Sequence, residues 1–183
     1  YLAGFILGWQ YCLRLAGLDK NARPNARDVD DFLAWAVLGV VLGGRIGYVL
    51  FYQPGYYMDH PGEIFMVWQG GMSFHGGMLG AIAAMLAFAW KNGFHPVRLA
   101  DFVVTVVPIG LFFGRLANFM NGELFGRQTD LPWGVVFPRG GDIPRHPSQL
   151  YEAILEGLVL FVVLALLVRK DQFRNRTGLL SGV

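Results

Sequence analysis

The sequence has little that would support disulfide or metal chemistry. Its 183 residues include a single cysteine, Cys12, which excludes a disulfide within them and any site built from several thiolates. No two histidines stand at the His-x-x-x-His spacing of a helical metal site, so the sequence predicts no metal and no other cofactor. Cys12 lies in an apolar run and is interpreted as a small packing residue.

Charged residues are also scarce. Only 15% of the residues are charged, against about a quarter in a typical soluble domain, and 54% are hydrophobic. The formal net charge is only +2, and no basic patch with interleaved aromatic residues occurs, which argues against a nucleic-acid partner. This composition predicts an all-α, polytopic transmembrane helix bundle that forms one domain over residues 1–183.

Five apolar runs have the length of membrane-spanning helices. They cover residues 1–18, 32–52, 72–90, 99–120 and 151–168. The first run has no initiating methionine and residues 178–183 resemble the start of another run, so we expect further sequence beyond both ends. The second run contains glycines that predict close helix packing. These are Gly39, Gly43, Gly44 and Gly47.

The positive charges between the runs alternate in number. Four Lys or Arg residues lie in 14–27, none in 53–70, two in 91–98 and four in 169–176. By the positive-inside rule, the first, third and fifth connections face the cytoplasm. The connection of roughly thirty residues, 121–150, is then an external, periplasmic loop, and its length suggests a function.

Four arginines break this trend, because they fall on the predicted outer side. They are Arg115, Arg127, Arg139 and Arg145. One interpretation is that they bind an anionic ligand at the outer leaflet. The other is that they pair with acidic residues and hold the loop in a fold. Those acidic residues are Glu123, Asp130, Asp142 and Glu152.

The polar residues nearest the membrane follow an uncharged run, residues 102–113. An unpaired charge at such a position costs several kcal/mol, so we expect a partner for Arg115. On a helix, Arg115 and Asn118 point to the same side, and a guanidinium fork suits a phosphate. Asn121 and Glu123 complete this polar stretch. The sequence thus predicts a phosphate-binding site centred on Arg115.

His75 begins the third apolar run and is a candidate general base. Glycines follow at 76, 77 and 80, which leaves room for a bulky substrate. An ordinary imidazole, with a pKa of about 6.5, can accept a proton from a thiol with a pKa of about 8.5. The alternative is a neutral histidine that donates to a backbone carbonyl at the start of a helix.

Two further groups are placed by helical periodicity. Glu152 and Glu156 are four residues apart and are predicted to lie on one face, at the level of Arg115, where Glu152 would orient the guanidinium. Arg45 is about two turns inside its run, roughly 10 Å into the apolar layer. Either it lines a water-filled cavity and contacts a lipid phosphate, or it pairs with a glutamate.

Three stretches together resemble a known family, the bacterial prolipoprotein diacylglyceryl transferases. The first is residues 114–126, which include Gly114, Arg115, Asn118, Asn121, Glu123 and Gly126. The second is residues 70–77, Gly-Gly-Met-Ser-Phe-His-Gly-Gly. The third is residues 145–152, Arg-His-Pro-Ser-Gln-Leu-Tyr-Glu. They occur in order across most of the chain, so the resemblance does not depend on one motif.

The resemblance implies an inner-membrane enzyme with seven spans. It would transfer the diacylglyceryl group of phosphatidylglycerol to the lipobox cysteine of a lipoprotein precursor and release glycerol phosphate. Arg115 would bind the headgroup and His75 would be catalytic. The resemblance also marks several site residues, of which Tyr1 is included with the catalytic groups. They are Tyr1, Asn118, Glu123, Gly126 and Glu152.

Two other functions compete with this one. An intramembrane serine protease would use Ser73, two residues before His75, but residues at that spacing point in different directions on a helix and no Gly-x-Ser-x-Gly elbow occurs. A lipid or anion transporter would use the arginines to bind its cargo. Internal repeats would favour a transporter, and the two halves show no self-similarity.

Overall fold

The computed structural model describes residues 2–18, 23–170 and 176–182. Tyr1, one of the predicted site residues, lies outside them. The helices, in chain order, are α1 (Leu2–Ala16), α2 (Ala26–Phe51), α3 (Pro54–Asp59), α4 (Phe74–Lys91), α5 (Pro96–Met120), α6 (Ser148–Glu152) and α7 (Leu160–Val168), with short 3₁₀ segments at Pro61–Phe65 and Val67–Gln69 and a π-helical segment at Ala153–Val159.

The described residues contain helices and no β-strand, which confirms the predicted all-α class. The backbone bridges found in these ranges are isolated and antiparallel, where Arg145 faces Gln128 and Val135. Among the described residues, three helices are long and apolar enough to cross a membrane, and they span Ala26–Phe51, Pro96–Met120 and Ser148–Val168. The first and third predicted spans form α1 and α4, of 15 and 18 residues, and their crossing of a membrane stays a prediction.

The second span begins earlier than the sequence predicts. Helix α2 starts at Ala26 rather than Phe32 because Asn25 caps it, with its side chain accepting from the backbone N–H of Asp28 at 3.0 Å. In turn, the Asp28 carboxylate accepts a hydrogen bond from the backbone N–H of Asn25 at 2.9 Å, and it also forms an ion pair with Arg23. This reciprocal cap lets a polar first turn precede the apolar run.

The chain packs as two compact units, described separately below. The loop unit comprises Tyr1–Leu18 with Ala100–Val183, and the hairpin unit comprises Asp19–Leu99. The loop unit contains the long loop between α5 and α6, and the hairpin unit contains the packed pair α2 and α4. The assignment of the whole chain to a single transmembrane domain stays a prediction.

Helices α2 and α4 of the hairpin unit pack backbone to backbone. A Cβ added to Gly39 would lie 2.5 Å from the carbonyl oxygen of Gly80, and one added to Gly47 would lie 2.8 Å from Cα of Gly76. Gly43 is equally restricted by the carbonyl of Gly76. The glycines therefore allow the close packing that the sequence predicts, because any side chain would separate the helices.

In the loop unit, α1 and the segment after α6 pack against α5. A Cβ on Gly4 would lie 3.3 Å from Cβ of Phe113, and one on Gly157 would lie 2.8 Å from Cβ of Phe112. Asp101 is buried in the first turns of α5, and its carboxylate accepts the backbone N–H groups of Gly178 and Ser181 at 2.7 and 2.9 Å. These contacts fix the position of α5, which carries the polar stretch at its carboxyl end.

Candidate functional site

Arg115 and Glu152 form an ion pair in the loop unit. Arg115 lies in the last turns of α5 and Glu152 ends α6, and Nε of the arginine is 2.6 Å from Oε2 of the glutamate. The two atoms are close but lack the alignment of a hydrogen bond. The side chains keep 28% and 33% of their surface exposed, so a ligand can reach them. Glu152 therefore makes the direct contact with Arg115 that its predicted orienting role requires.

The terminal nitrogens of Arg115 point to a further partner. The closest approach of Glu152 is to Nε, and the described residues show no hydrogen bond from Nη1 or Nη2. Those two nitrogens carry most of the fork that binds phosphate or carboxylate oxygens in pairs. Glu152 already balances part of the positive charge of Arg115, so an anion would bind through the terminal nitrogens on the other side of the guanidinium.

A π-helical segment, Ala153–Val159, follows Glu152 directly. The sequence places Glu156 beside Glu152, four residues on, and the wider π-helical turn keeps this spacing close to one full turn. Glu152 is half-buried against Arg115, whereas Glu156 is exposed. Such segments are frequent at functional sites because they redirect side chains within a continuous helix.

Asn118, Asn121 and Glu123 form a second cluster next to the end of α5. The Nδ2 groups of Asn118 and Asn121 donate to the same carboxylate oxygen of Glu123, at 3.0 and 3.2 Å. The hydrogen bond from Asn118, followed by the one from Asn121, lowers the pKa of Glu123. Because a carboxylate only accepts, the amide oxygens of both asparagines stay available to a ligand. The sequence predicts that Asn118 offers its amide to the same ligand as Arg115, and the hydrogen bond to Glu123 leaves its amide oxygen for that contact.

Gly126 allows the loop to pass close to its own end. Its backbone N–H donates to the carbonyl of His146 at 2.9 Å, and an added Cβ would lie 3.0 Å from both Cβ and the carbonyl oxygen of His146. A side chain at position 126 would crowd His146, so the two loop segments that contain these residues could not approach each other as closely. Gly126 therefore positions the loop, and its assignment as a substrate-binding residue stays a prediction.

Helix α6 fixes the stretch after α5 through two side chains. The hydroxyl of Ser148 donates to the carbonyl of Leu124 at 3.1 Å, and Nε2 of Gln149 donates to the carbonyl of Glu123 at 2.6 Å. These bonds hold Leu124 at a positive φ of 56°, which a leucine rarely adopts. The strained turn presents the carboxylate of Glu123 to Asn118 and Asn121.

Gln149 is the residue that sequence reasoning missed. It is fully buried, and its Oε1 has no hydrogen-bond donor among the described residues. Leaving a buried acceptor without a donor costs about 1–3 kcal/mol, so such a group calls for an explanation. The sequence placed Gln149 in the third motif but carried no signal that one end of its amide would be unpartnered.

Arg145, another arginine of the loop, stabilises the fold of the loop. Its Nε donates to the carbonyl of Gly140 at 3.1 Å, and its guanidinium stacks 5.1 Å from the ring centre of Phe125. Neither interpretation from the sequence describes it, because it pairs with a carbonyl and a ring rather than with a ligand or an acidic side chain. Arg127 and Arg139 are exposed.

His75 lies in the hairpin unit, at the second position of α4. Its ring is exposed and meets the edge of the Phe74 ring at 5.7 Å. No described residue hydrogen-bonds the imidazole, so the alternative of a histidine fixed on a backbone carbonyl has no support. Ser73 is buried and caps α4 by accepting from the backbone N–H of Gly76 at 3.2 Å. That contact gives Ser73 a structural role and weakens the protease interpretation.

Arg45, also in the hairpin unit, is only 4% exposed and binds backbone carbonyls. Nε donates to Ile64 at 2.8 Å, Nη2 to Glu63 at 2.6 Å, and Nη1 to Gly70 and Gly71 at 2.6 and 3.2 Å. The guanidinium also lies 5.1 Å from the ring centre of Tyr57. Among the described residues Arg45 donates to main-chain carbonyls and not to a glutamate side chain, an arrangement that neither sequence alternative included and that holds the loop after α3. A substrate-binding role for Arg45 stays a prediction.

Six of the predicted site residues thus come together in the loop unit, and they are Arg115, Asn118, Asn121, Glu123, Gly126 and Glu152. His75 and Arg45 belong to the hairpin unit. Within the described ranges, no group of three or more His, Cys, Asp or Glu side chains is arranged to hold a metal ion. The chemistry of the loop unit is that of an anion site with neutral acceptors around it.

An apolar cavity of about 400 Å³ lies in the same unit. Its walls come from α1, α5 and the π-helical segment, and they include Phe112, Phe113 and Gly157. Phe112 is three residues before Arg115, a rise of roughly 4.5 Å along the helix. At the far end the lining includes Gln10 and Arg14. The anion site is therefore about one helical turn from a space that suits a hydrocarbon chain.

Comparison with known proteins identifies the family. The family model described as prolipoprotein diacylglyceryl transferase matches residues 1–183. The chain is similar to proteins named phosphatidylglycerol–prolipoprotein diacylglyceryl transferase. It is 58% identical to the protein of Azospirillum brasilense, 58% to that of Rhodospirillum centenum and 59% to that of Paramagnetospirillum magneticum. The matches cover 100% of this chain and 69%, 66% and 68% of those relatives, so the chain spans about two thirds of their length. This chain belongs to the prolipoprotein diacylglyceryl transferase family.

Proposed function

We propose that this protein transfers the diacylglyceryl group of phosphatidylglycerol to the lipobox cysteine thiol of lipoprotein precursors, the first step of bacterial lipoprotein maturation. The observation that carries the proposal is the match of residues 1–183 to a family whose relatives are named for this transfer. Arg115 supports it, because its terminal nitrogens have no partner among the described residues and suit the phosphate of such a lipid.

The reaction needs no nucleophile from the enzyme. The cysteine sulfur of the precursor attacks the glyceryl carbon that bears the phosphate, and a carbon–sulfur bond forms. The bond between that carbon and the phosphate oxygen breaks, and its electron pair leaves with glycerol phosphate. Charge grows on the departing phosphate, and Arg115 stabilises it where it develops. Glu152 keeps the guanidinium in place and limits its motion.

His75 is the proposed acceptor of the thiol proton. A thiolate is a much stronger nucleophile than a thiol, so the proton must leave before or during the attack. The imidazole is exposed, and no described residue occupies either ring nitrogen. By the charge pattern of the sequence, the start of the third span and the end of the fourth both face the outer side of the membrane. Tyr1 is proposed as a further catalytic group on the resemblance alone.

The cavity beside α5 is the proposed place of an acyl chain. A lipid with its phosphate at Arg115 would pass Phe112 and Gly157 about one turn deeper, where the cavity opens. Asn118, Asn121, Glu123 and Gly126 would border the headgroup on the other side. This placement keeps the charged part of the lipid at the helix ends and its chains among apolar side chains.

The proposed setting is the bacterial inner membrane, with the site toward the periplasm. The five apolar runs would each cross the bilayer, as part of the seven spans expected in the family, and the loop 121–150 would lie outside. Alternation of Lys and Arg between the runs supports this orientation. The partners are phosphatidylglycerol, the precursor's signal peptide and the membrane.

The test is transfer by the purified protein, expressed from its complete gene, in phosphatidylglycerol vesicles with a synthetic lipobox peptide. We expect a peptide whose mass has increased by one diacylglyceryl group through a thioether, and an equal amount of glycerol phosphate. Transport of intact phosphatidylglycerol with no modified peptide would contradict the proposal and favour a lipid transporter. A cleaved peptide would favour a protease.

A further inference from the structure

One fully buried acceptor in the candidate site has no donor. Gln149 donates through Nε2 to the carbonyl of Glu123 at 2.6 Å. This bond fixes which end of the amide is which, because the reversed amide would set two carbonyl oxygens against each other. Oε1 therefore points away from the Glu123 carbonyl, and no described residue donates to it.

Two chains of contacts connect this acceptor to the anion site. Gln149 lies three residues before Glu152, near the start of α6, and Glu152 contacts Arg115. On the other side, Gln149 holds the backbone of Glu123, whose carboxylate accepts from Asn118 and Asn121. The cluster therefore combines the Arg115–Glu152 ion pair and the Glu123 carboxylate with neutral amide oxygens, of which that of Gln149 is fully buried. A ligand that satisfies it carries a phosphate and an adjacent hydrogen-bond donor.

We infer that Gln149 binds a hydroxyl group of the lipid headgroup and selects phosphatidylglycerol over lipids that lack one, an inference that rests on the proposed function. Phosphatidylglycerol has two hydroxyls next to its phosphate. A headgroup hydroxyl would donate to Oε1 the hydrogen bond that no described residue supplies. Sites built to bind a substrate hydroxyl reject analogues without it, because the buried acceptor then stays unpaired.

Ser148 provides the matched control. Its hydroxyl holds the carbonyl of Leu124 at 3.1 Å, just as the neighbouring Gln149 holds that of Glu123. Ser148 has no buried atom without a partner in the described part of the chain. If Gln149 only fastens the turn, then Gln149→Met and Ser148→Ala lose the same kind of contact and affect every lipid donor alike.

The experiment compares phosphatidylglycerol with phosphatidylpropanol, a lipid with the same chains and phosphate but no headgroup hydroxyl. The full protein is assayed for transfer to a lipobox peptide as wild type, Gln149→Met and Ser148→Ala. We expect wild type and Ser148→Ala to prefer phosphatidylglycerol in kcat/KM by about 10- to 100-fold. In Gln149→Met the ratio falls to within about threefold, because the rate on phosphatidylglycerol falls much further than the rate on phosphatidylpropanol.

Two results would overturn the inference and leave the proposed function intact. If the wild-type protein uses both lipids equally well, then no residue recognises the headgroup hydroxyl and the inference is wrong. This result needs no variant, so it applies even if Gln149→Met fails to fold. A Gln149→Met protein that loses rate on both lipids by the same factor has lost a structural contact only. A wild-type protein that transfers from neither lipid contradicts the proposed function itself.

Discussion

The two units each contain an arginine close to an apolar helix, and their surroundings differ. Arg45 in the hairpin unit is almost fully buried and donates to four backbone carbonyls. Arg115 in the loop unit is partly exposed and contacts one carboxylate through Nε. A guanidinium whose three nitrogens are all occupied stabilises the fold, whereas one with two nitrogens unoccupied by the described residues is prepared for a ligand.

Replacement of Arg115 tests most directly whether this partly exposed arginine binds the lipid. We expect Arg115→Ala to lower kcat/KM for transfer by about 100- to 1,000-fold, because the charge of the departing phosphate loses its stabilising partner. The melting temperature in detergent should change little. Arg127→Ala, which removes an exposed arginine of the same loop, is the control and should keep nearly full activity. Equal losses in the two variants would mean that the loop's charge, and not Arg115, binds the lipid.

Replacement of His75 tests the proposed acceptor of the thiol proton. With no base, the thiol must ionise unaided, so we expect His75→Gln to reduce kcat by about 100-fold at pH 7. The deficit should shrink at pH 9, where more of the thiol is already ionised. The measurement is a pH profile of transfer from pH 5 to pH 9. A variant with the wild-type rate throughout would show that another group takes the proton.

Replacement of Arg45 should act on stability. Arg45→Met leaves buried carbonyls without donors, so we expect the free energy of unfolding to fall by at least about 2 kcal/mol. Activity per folded molecule should be nearly unchanged, in contrast to Arg115→Ala. Thermal melting in detergent and the rate of the surviving protein measure the two effects. A stable Arg45→Met protein with a raised KM for phosphatidylglycerol would instead place Arg45 on the lipid.

The smallest effect concerns Glu123, whose pKa is lowered by the hydrogen bonds from Asn118 and then Asn121. A carboxylate with a lowered folded-state pKa stabilises the fold above its unfolded pKa, about 4.3, and loses this contribution as the pH falls through the folded value. We expect the turn after α5 to loosen below about pH 4 in the wild type, as read by proteolysis of the loop. Glu123→Gln should show less dependence on pH. An identical acid profile for the two proteins would contradict the contact.

Parts of this site were predictable because they depend on local spacing. Arg115 and Asn118 sit three residues apart at the end of an apolar run, and the glycines of α2 follow a helical repeat, so both features are visible in the sequence. The π-helical form of the segment after Glu152 was not, because nothing in the local composition distinguishes a π-helical turn from an α-helical one. The exposure of Glu156 was not visible in the sequence either.

The partners of Arg45 and Arg115 also differ in whether the sequence predicts them. The sequence predicts that Arg45 and Arg115 need partners, since a charge near the apolar layer is costly. It does not predict that Arg45 finds main-chain carbonyls about twenty residues away along the chain, because every residue carries a carbonyl and none of them is marked in the sequence. Glu152 was found in advance because a carboxylate is a recognisable partner.

Sequence alone was enough to predict an all-helical membrane protein, its family and the candidate residues of an anion site, because these follow from hydrophobic length, composition and motifs that are local in the chain. The three-dimensional contacts were needed to see that Arg45 is satisfied by carbonyls and that Arg115 contacts one carboxylate. They alone also showed that one oxygen of Gln149 is buried without a donor. Hydrogen bonding between distant segments depends on where their backbones meet, and that geometry is not written in any single stretch of residues.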